Sequence, residues 1–152
     1  MTVVFDIETK LVYNQQVPRY LGYLHEDALG IVDSPDCVEQ LVEIFKDGDY
    51  YEYSFYAHNF SGFDSYFITP ALLKKKGTIV KMFVKNNKIM FIKCYFESTT
   101  FYFRDTFLYT NLPLLEIYKM IGWKKKFLTN FSRKNLYSYL AFDLVGLYYV
   151  LL

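Results

Sequence analysis

The run Val3-Val4-Phe5-Asp6-Ile7-Glu8 constrains this chain more than any other stretch, because it drives apolar residues into a core and ends in two carboxylates one residue apart. Side chains on a strand alternate between faces, so Asp6 and Glu8 share one side, roughly 7 Å apart, while Phe5 and Ile7 take the other. Two acids on one side of a buried strand are half a cation site. Hard divalent ions such as magnesium want oxygen ligands, few of them from the protein, and keep waters and substrate phosphate oxygens in the remaining positions. Taken alone, Asp-x-Glu is also the ordinary solvated end of a strand. Its meaning depends on what the rest of the chain brings to it.

A chain of 152 residues is the size of one domain, able to bury roughly two thirds of its unfolded surface. At 53% hydrophobic and 21% aromatic, with 16 Tyr and 15 Phe, it is too apolar and too patterned to be disordered. The net charge of +1 excludes a polycation, so any nucleic acid is held locally. The Lys74-Lys75-Lys76 and Lys124-Lys125-Lys126 triplets are the local basic spots. Cys37 and Cys94 form neither a metal spacing nor a disulfide framework and read as free thiols, which fits a reducing or disulfide-indifferent compartment. Met1-Thr2 lead directly into the first strand, with no leader before it, and no apolar run reaches the length of a membrane span. Heavy use of Phe, Tyr, Ile, Asn and Lys is what AT-rich codons produce, and points to an organelle genome, a linear plasmid or a phage.

Strands are expected over Val17 to Leu24 and Ala28 to Val32, giving a meander, with Tyr13, Asn14 and Pro18 as punctuation. Asp33-Ser34-Pro35-Asp36 offers an N-cap to a helix with Val38, Leu41, Val42 and Phe45 on one face, stopped by Gly48. Tyr51 to Ala57 alternates as a strand, His58 to Gly62 is a polar turn, and Phe63 to Lys75 is helical. Strands follow at about Thr78 to Lys85, Lys88 to Phe96 and Thr99 to Thr106, the first two joined by Asn86-Asn87. Leu112-Pro113 opens a helix ending at Gly122, a basic loop spans Lys124 to Lys134, and Asn135 to Leu152 is a last helix that ends abruptly, as if truncated. Without repeats or linkers, residues 1 to 152 read as a single α/β domain, a mixed central sheet with helices on both faces.

Asp64 is expected at a helix start, where the macrodipole favours an acid. Tyr139 and Asp143, four apart, project from one helix face. Each has an ordinary surface or capping reading alone. Together, four acids from three separated segments and a tyrosine one turn from the last are harder to explain as surface.

Phe5-Asp6-Ile7-Glu8-Thr9, Asn59-Phe60-Ser61-Gly62-Phe63-Asp64 with Phe67, and Tyr139-Leu140-Ala141-Phe142-Asp143 resemble, in order and spacing, the three exonuclease motifs of family B DNA polymerases. Arg104-Asp105-Thr106, the Leu112 helix and the lysines before Phe127 resemble the protein-primed branch of phages, linear plasmids and mitochondria. The resemblance covers nearly the whole chain. It implies a ribonuclease H-like 3′-5′ exonuclease fold and proofreading-type hydrolysis of single-stranded DNA ends with two Mg2+ or Mn2+ ions. Carried across residue by residue, Asp6, Glu8, Asp64 and Asp143 match the metal-binding acids. Tyr139 matches the residue that orients the attacking water. Thr9, Asn59 and Phe63 match positions that hold the 3′ end, and Lys124, beside Lys125 and Lys126, is the candidate phosphate contact. Two cations roughly 3.5 to 4 Å apart can activate a water and stabilise the leaving 3′ oxygen, and Phe63 and Phe67 could stack bases without sequence preference.

Phe67 is read first as core, His58 as a packed turn residue, and His25, Cys37, Cys94 and Trp123 as structural. Asn111-Leu112 stands where the family has a serine or threonine before leucine, which weakens that DNA contact. Nothing resembles the palm motifs of nucleotide addition, so this chain is not expected to polymerise. The implied partners are a single-stranded 3′ end, with either a separate polymerase chain or a large organellar assembly, and the implied location is the mitochondrion, with phage or linear-plasmid origin as the other source. Three readings follow: a 3′-5′ exonuclease; an idle relic of that domain serving as a structural subunit of an organellar ribosome or respiratory complex; and a module that holds single strands without cutting.

Overall fold

A computed structural model describes residues 1–26, 28–121 and 133–151. The opening run is the middle of a longer strand than expected, β1 (Thr2–Val12), which turns at Tyr13-Asn14, both at left-handed φ, into β2 (Gln15–His25). Pro18 does not break β2. The ladder shifts register between Glu8 and Thr9, and this bulge sets Pro18 opposite Thr9, the kind of position where a missing N–H is tolerated. After β3 (Ala28–Asp33) comes α1 (Cys37–Lys46), with Val38, Leu41, Val42 and Phe45 buried. The expected cap takes another form: the Asp36 carboxylate accepts from the Ser34 hydroxyl and from Gln40 Nε2 (2.8 Å) rather than from a helix N–H.

Strand β4 (Glu52–Ala57) leads through a single 3-10 turn, Phe60–Gly62, into α2 (Ser65–Leu73), shorter at both ends than the expected 63–75. Strands β5 (Ile79–Lys85) and β6 (Lys88–Tyr95) join at Asn86-Asn87, whose φ values of 51° and 61° suit a tight hairpin. Strand β7 (Thr100–Asp105) precedes a four-residue helix the sequence does not announce, α3 (Phe107–Thr110), and then α4 (Leu114–Ile121). Helix α5 (Arg133–Leu151) begins two residues early and takes Arg133 and Lys134 out of the expected basic loop. The rest of that loop, with Lys124 to Lys126, and Trp123 lie outside the described residues.

The seven strands form one sheet in the order β3-β2-β1-β4-β7-β6-β5. Strands β1, β4 and β7 run parallel, and the outer strands pair antiparallel. One face carries the larger core, where Val3, Phe5, Ile7, Phe55, Phe101 and Phe103 pack with α1 and α2. On the other face Val4 and Leu24 pack with Leu144 and Leu147 of α5. The alternation along β1 therefore separates two layers, and Asp6 and Glu8 fall on the side of α5.

Candidate active site

Three segments reach the carboxyl ends of the parallel strands, each for a local reason. Asp6 and Glu8 arrive on β1 by alternation. Asp6 is paired across the ladder with Gly22 of β2, and this glycine seats the last helix. A Cβ there would stand 2.8 Å from Leu144 Cδ1 and 3.5 Å from Leu140 Cβ. A side chain there must turn the free end of Leu144 aside, and a bulky one bears on α5, which carries Tyr139 and Asp143.

The second segment is the turn after β4. Asn59 takes a left-handed φ of 59° to start it, a conformation asparagine tolerates better than most residues. Phe60 is fully buried and stacks on Phe103 at 6.1 Å. Asp105, buried at the end of β7, accepts from the Ser61 N–H (2.9 Å) and hydroxyl (2.7 Å) through Oδ2, and from the Phe107 N–H (2.9 Å) through Oδ1. One carboxylate thus ties the turn to α3, and the turn presents Phe63 and Asp64.

The third segment is α5. The Tyr139 hydroxyl hydrogen-bonds the Asp143 carboxylate one turn away on the same helix face. The buried Tyr118 of α4 donates to the Asp143 backbone carbonyl at 2.9 Å, fixing that turn from behind.

These segments enclose a cleft of about 230 Å3 whose lining includes Asp6, Glu8, His58, Phe63, Tyr139 and Asp143. Asp64 lies behind it, 2% exposed, with its Oδ1 lacking a hydrogen-bond partner. Burial, then the charge of Asp6, lifts its carboxyl well above the usual range, against backbone N–H bonds including that of Ile7. Burial, then Asp143, Glu8 and Asp6, pushes the Tyr139 phenol up. Burial and the same acids Asp143 and Asp6 do so for Tyr118. The site is a concentration of negative charge in a half-dry cleft, and a cation is what would relieve it.

A divalent cation is consistent with this donor set: the acids are all oxygen donors, and Asp64 keeps a buried, unpartnered oxygen. Among the described residues, no three His, Cys, Asp or Glu side chains stand close enough to ligate one ion by themselves.

Other expected contacts are placed elsewhere. The Thr9 hydroxyl donates to Gln16 Oε1 beyond the bulge, and Asn59 is exposed beside the cleft. Asn111 is exposed in a left-handed turn at the end of α3. Phe67 packs against the larger core, edge-on to Phe63 at 5.3 Å. His25 is packed against Phe45. Both cysteines are buried and free, their thiols pushed up to about 11 and about 12 by burial. His58 is more than a packed turn residue: it bonds Thr106 Oγ1 at 2.8 Å and also lines the cleft. Gly22, Tyr118 and the Asp105 to Ser61 tie were not picked out from sequence, because each matters only through a partner far along the chain. Asp105 carried a hint, since it falls inside the Arg104-Asp105-Thr106 match.

Residues 48–144 match the family model described as DNA polymerase type B, organellar and viral. No curated protein sequence matches the chain. Among solved structures, phi29 DNA polymerase complexed with primer-template DNA superposes with a TM-score of 0.77 at 15% identity, covering 99% of this chain and 30% of that one. The same polymerase complexed with single-stranded DNA gives 0.75 at 14% identity, and its orthorhombic crystal form 0.71 at 13%, with the same coverage. The chain thus spans about 30% of the polymerase it resembles, and shares the ribonuclease H-like fold of that polymerase's exonuclease region. The protein belongs to the organellar and viral type B DNA polymerase family.

Proposed function

We propose that this chain is a metal-dependent 3′-5′ exonuclease acting on single-stranded DNA ends. The observation that carries the reading is the cleft itself, where Asp6, Glu8, Tyr139 and Asp143 from two distant segments line one space backed by buried Asp64. Asp6, Glu8 and Asp143 would hold divalent cations, two Mg2+ or Mn2+, with Asp64 contributing from behind Asp6. Bound there, the cations would activate water on one side of the phosphorus and stabilise the departing 3′ oxygen on the other. The chain's own work is positional. Tyr139 holds the Asp143 carboxylate and presents a phenol that stays protonated, able to orient water. Phe63 offers a ring at the cleft on which a terminal base can stack, and Asn59 stands beside it. A mitochondrial, phage or linear-plasmid setting accords with the family's organellar and viral range.

The test is a 5′-labelled oligonucleotide with magnesium or manganese, beside Asp6→Ala/Glu8→Ala. Stepwise shortening from the 3′ end by the wild type alone is the expected result. Intact DNA in both lanes defeats the exonuclease reading and favours the idle relic of a larger assembly. Tyr139→Phe is expected to slow cutting without changing metal-induced stabilisation. Unchanged rates would remove Tyr139 from the mechanism.

A further inference from the structure

The face that α5 covers at β1 and β2 continues onto β7, β6 and β5, where among the described residues no helix joins the two core clusters and Leu108 of α3 borders a cavity of about 450 Å3 with Phe83, Phe91 and Arg104. Register sets which residues it shows. Arg104 pairs with Phe91, Tyr102 with Lys93, Phe91 with Phe83 and Lys93 with Lys81, while the alternate residues Ile92, Cys94, Phe101 and Phe103 turn into the larger core. The result is a three-strand ladder of alternating rings and cations. Arg104 lies over Phe91 (5.4 Å) and Tyr102 (4.9 Å), Lys93 over Tyr102 (5.1 Å) and Tyr95 (4.8 Å), and Phe83 stacks on Phe91 at 4.1 Å while staying 44% exposed.

The charge on this ladder has one sign. Residues 79–95 contain no Asp or Glu, and Asp105 of β7 is turned away to Ser61. Glu52 pairs with Thr100, at the far end from Arg104. The cationic end is therefore the end nearer the cleft. Arg104 pairs with Tyr56 and Tyr56 with Val4, two strand spacings, or about 10 Å, from the β1 row that carries Asp6.

We infer that the face of β5, β6 and β7 is a second, sequence-independent docking surface for single-stranded nucleic acid, with Lys81, Lys93 and Arg104 on the phosphates and the exposed ring of Phe83, backed by Phe91, under the bases. Exposed rings accept any base by stacking, and interleaved cations follow the backbone; an acid-free ladder of both is the chemistry that single-strand grooves use. The surface goes beyond the cleft and binds whether or not the cleft cuts.

The experiment reads binding separately from cleavage. A fluorescent oligothymidylate of roughly 20 nucleotides, longer than the ~4–16 nucleotides such domains cover, is blocked at its 3′ end and titrated in chelator with the full chain. Lys81→Glu/Lys93→Glu/Arg104→Glu is expected to weaken binding at least about tenfold and to flatten the log affinity against log salt slope by about two units. Lys46→Glu/Lys74→Glu/Lys76→Glu, the same charge change on the opposite layer, is expected to bind like the wild type. Phe83→Ala, a mild change on an exposed ring, is expected to weaken binding about fivefold or more, and decides the matter if the triple variant fails to fold. Equal affinity for the wild type and the ladder variants overturns the proposal and gives the face to a protein partner. Equal weakening by the control triple overturns it in favour of net charge. Asp6→Ala/Glu8→Ala should leave this binding in place, so failure of the exonuclease reading and failure of the docking surface are told apart.

Discussion

The two ends of one sheet face do opposite things with charge. At β1 and β2 it is roofed by α5, its charges are acids, and Asp64, Tyr118 and Tyr139, in or behind the cleft, are pushed toward their neutral forms by burial and by neighbouring acids, Asp6 among them for each. At β5 to β7 its charges are cations over half-buried rings. Where a helix covers the sheet, single atoms decide the geometry. Where nothing in the two cores covers it, the energy is spread over many weak contacts, each screened by salt.

Substitutions at the two ends should differ accordingly, and the largest effect is expected at Gly22. Gly22→Val must displace Leu144 or lift α5, at a cost of about 1–3 kcal/mol from overpacking. It should also separate Asp143 from Asp6 and abolish cutting while leaving circular dichroism native-like. Retained activity would show that α5 does not depend on the glycine for its seat.

Asp105→Ala comes next. It leaves the Ser61 and Phe107 N–H groups without their acceptor, and is expected to cost about 2–3 kcal/mol in urea melts. Activity should fall with it, because Phe63 and Asp64 ride on that turn. A stability loss with full activity would show that the turn holds its shape through Phe60 alone.

Asp64→Asn is smaller and opposite in sign. The folded chain raises the Asp64 carboxyl above its unfolded value, so it holds that proton more tightly than the unfolded chain does. The stability this contributes is complete below about pH 4, the unfolded value, and is lost as pH rises through the folded one. Metal-free Asp64→Asn should therefore melt about 2–4 °C higher at neutral pH, near 1 kcal/mol for a chain of this size. It should show a flatter pH profile and no activity. A lower melting temperature would show that Asp64 is compensated in the apo protein.

The smallest change is expected on the open ladder. Lys93→Ala should alter stability by less than about 0.5 kcal/mol, checked by thermal melts. A larger loss would mean that the cations hold the sheet together rather than face outward.

What could be read from the sequence, and what could not, divides along similar lines. Alternation in β1, β4 and β7, helical spacing in α1 and the Asn86-Asn87 hairpin are local signals, and they placed most elements within a few residues. The three motif segments were legible as recurring acids, but of the expected positions at element ends only that of Asp64 is found, since Asp6 and Glu8 lie inside β1 and Asp143 inside α5. Helix α3 was not legible, since four residues carry no period. The expected β2 ran through Pro18 and fell short only of Gln15, Gln16 and His25, while the extension of β1 past Glu8 was missed because the bulge there interrupts the alternation. Gly22, Tyr118 and Asp105 carry no local mark: a glycine in a strand, a tyrosine on an apolar helix face and an acid closing a strand acquire meaning only from Leu144, Asp143 and Ser61.

The placement of Tyr139 and Asp143 on the last helix also orders events in time. Asp6, Glu8 and Asp64 leave the ribosome well before Asp143 does, on the order of ten seconds at ~5–20 residues per second. On the proposed exonuclease reading, the cleft would lack Tyr139 and Asp143 until α5 is made and docked on Gly22, and a product ending before Arg133 is expected to leave labelled DNA uncut.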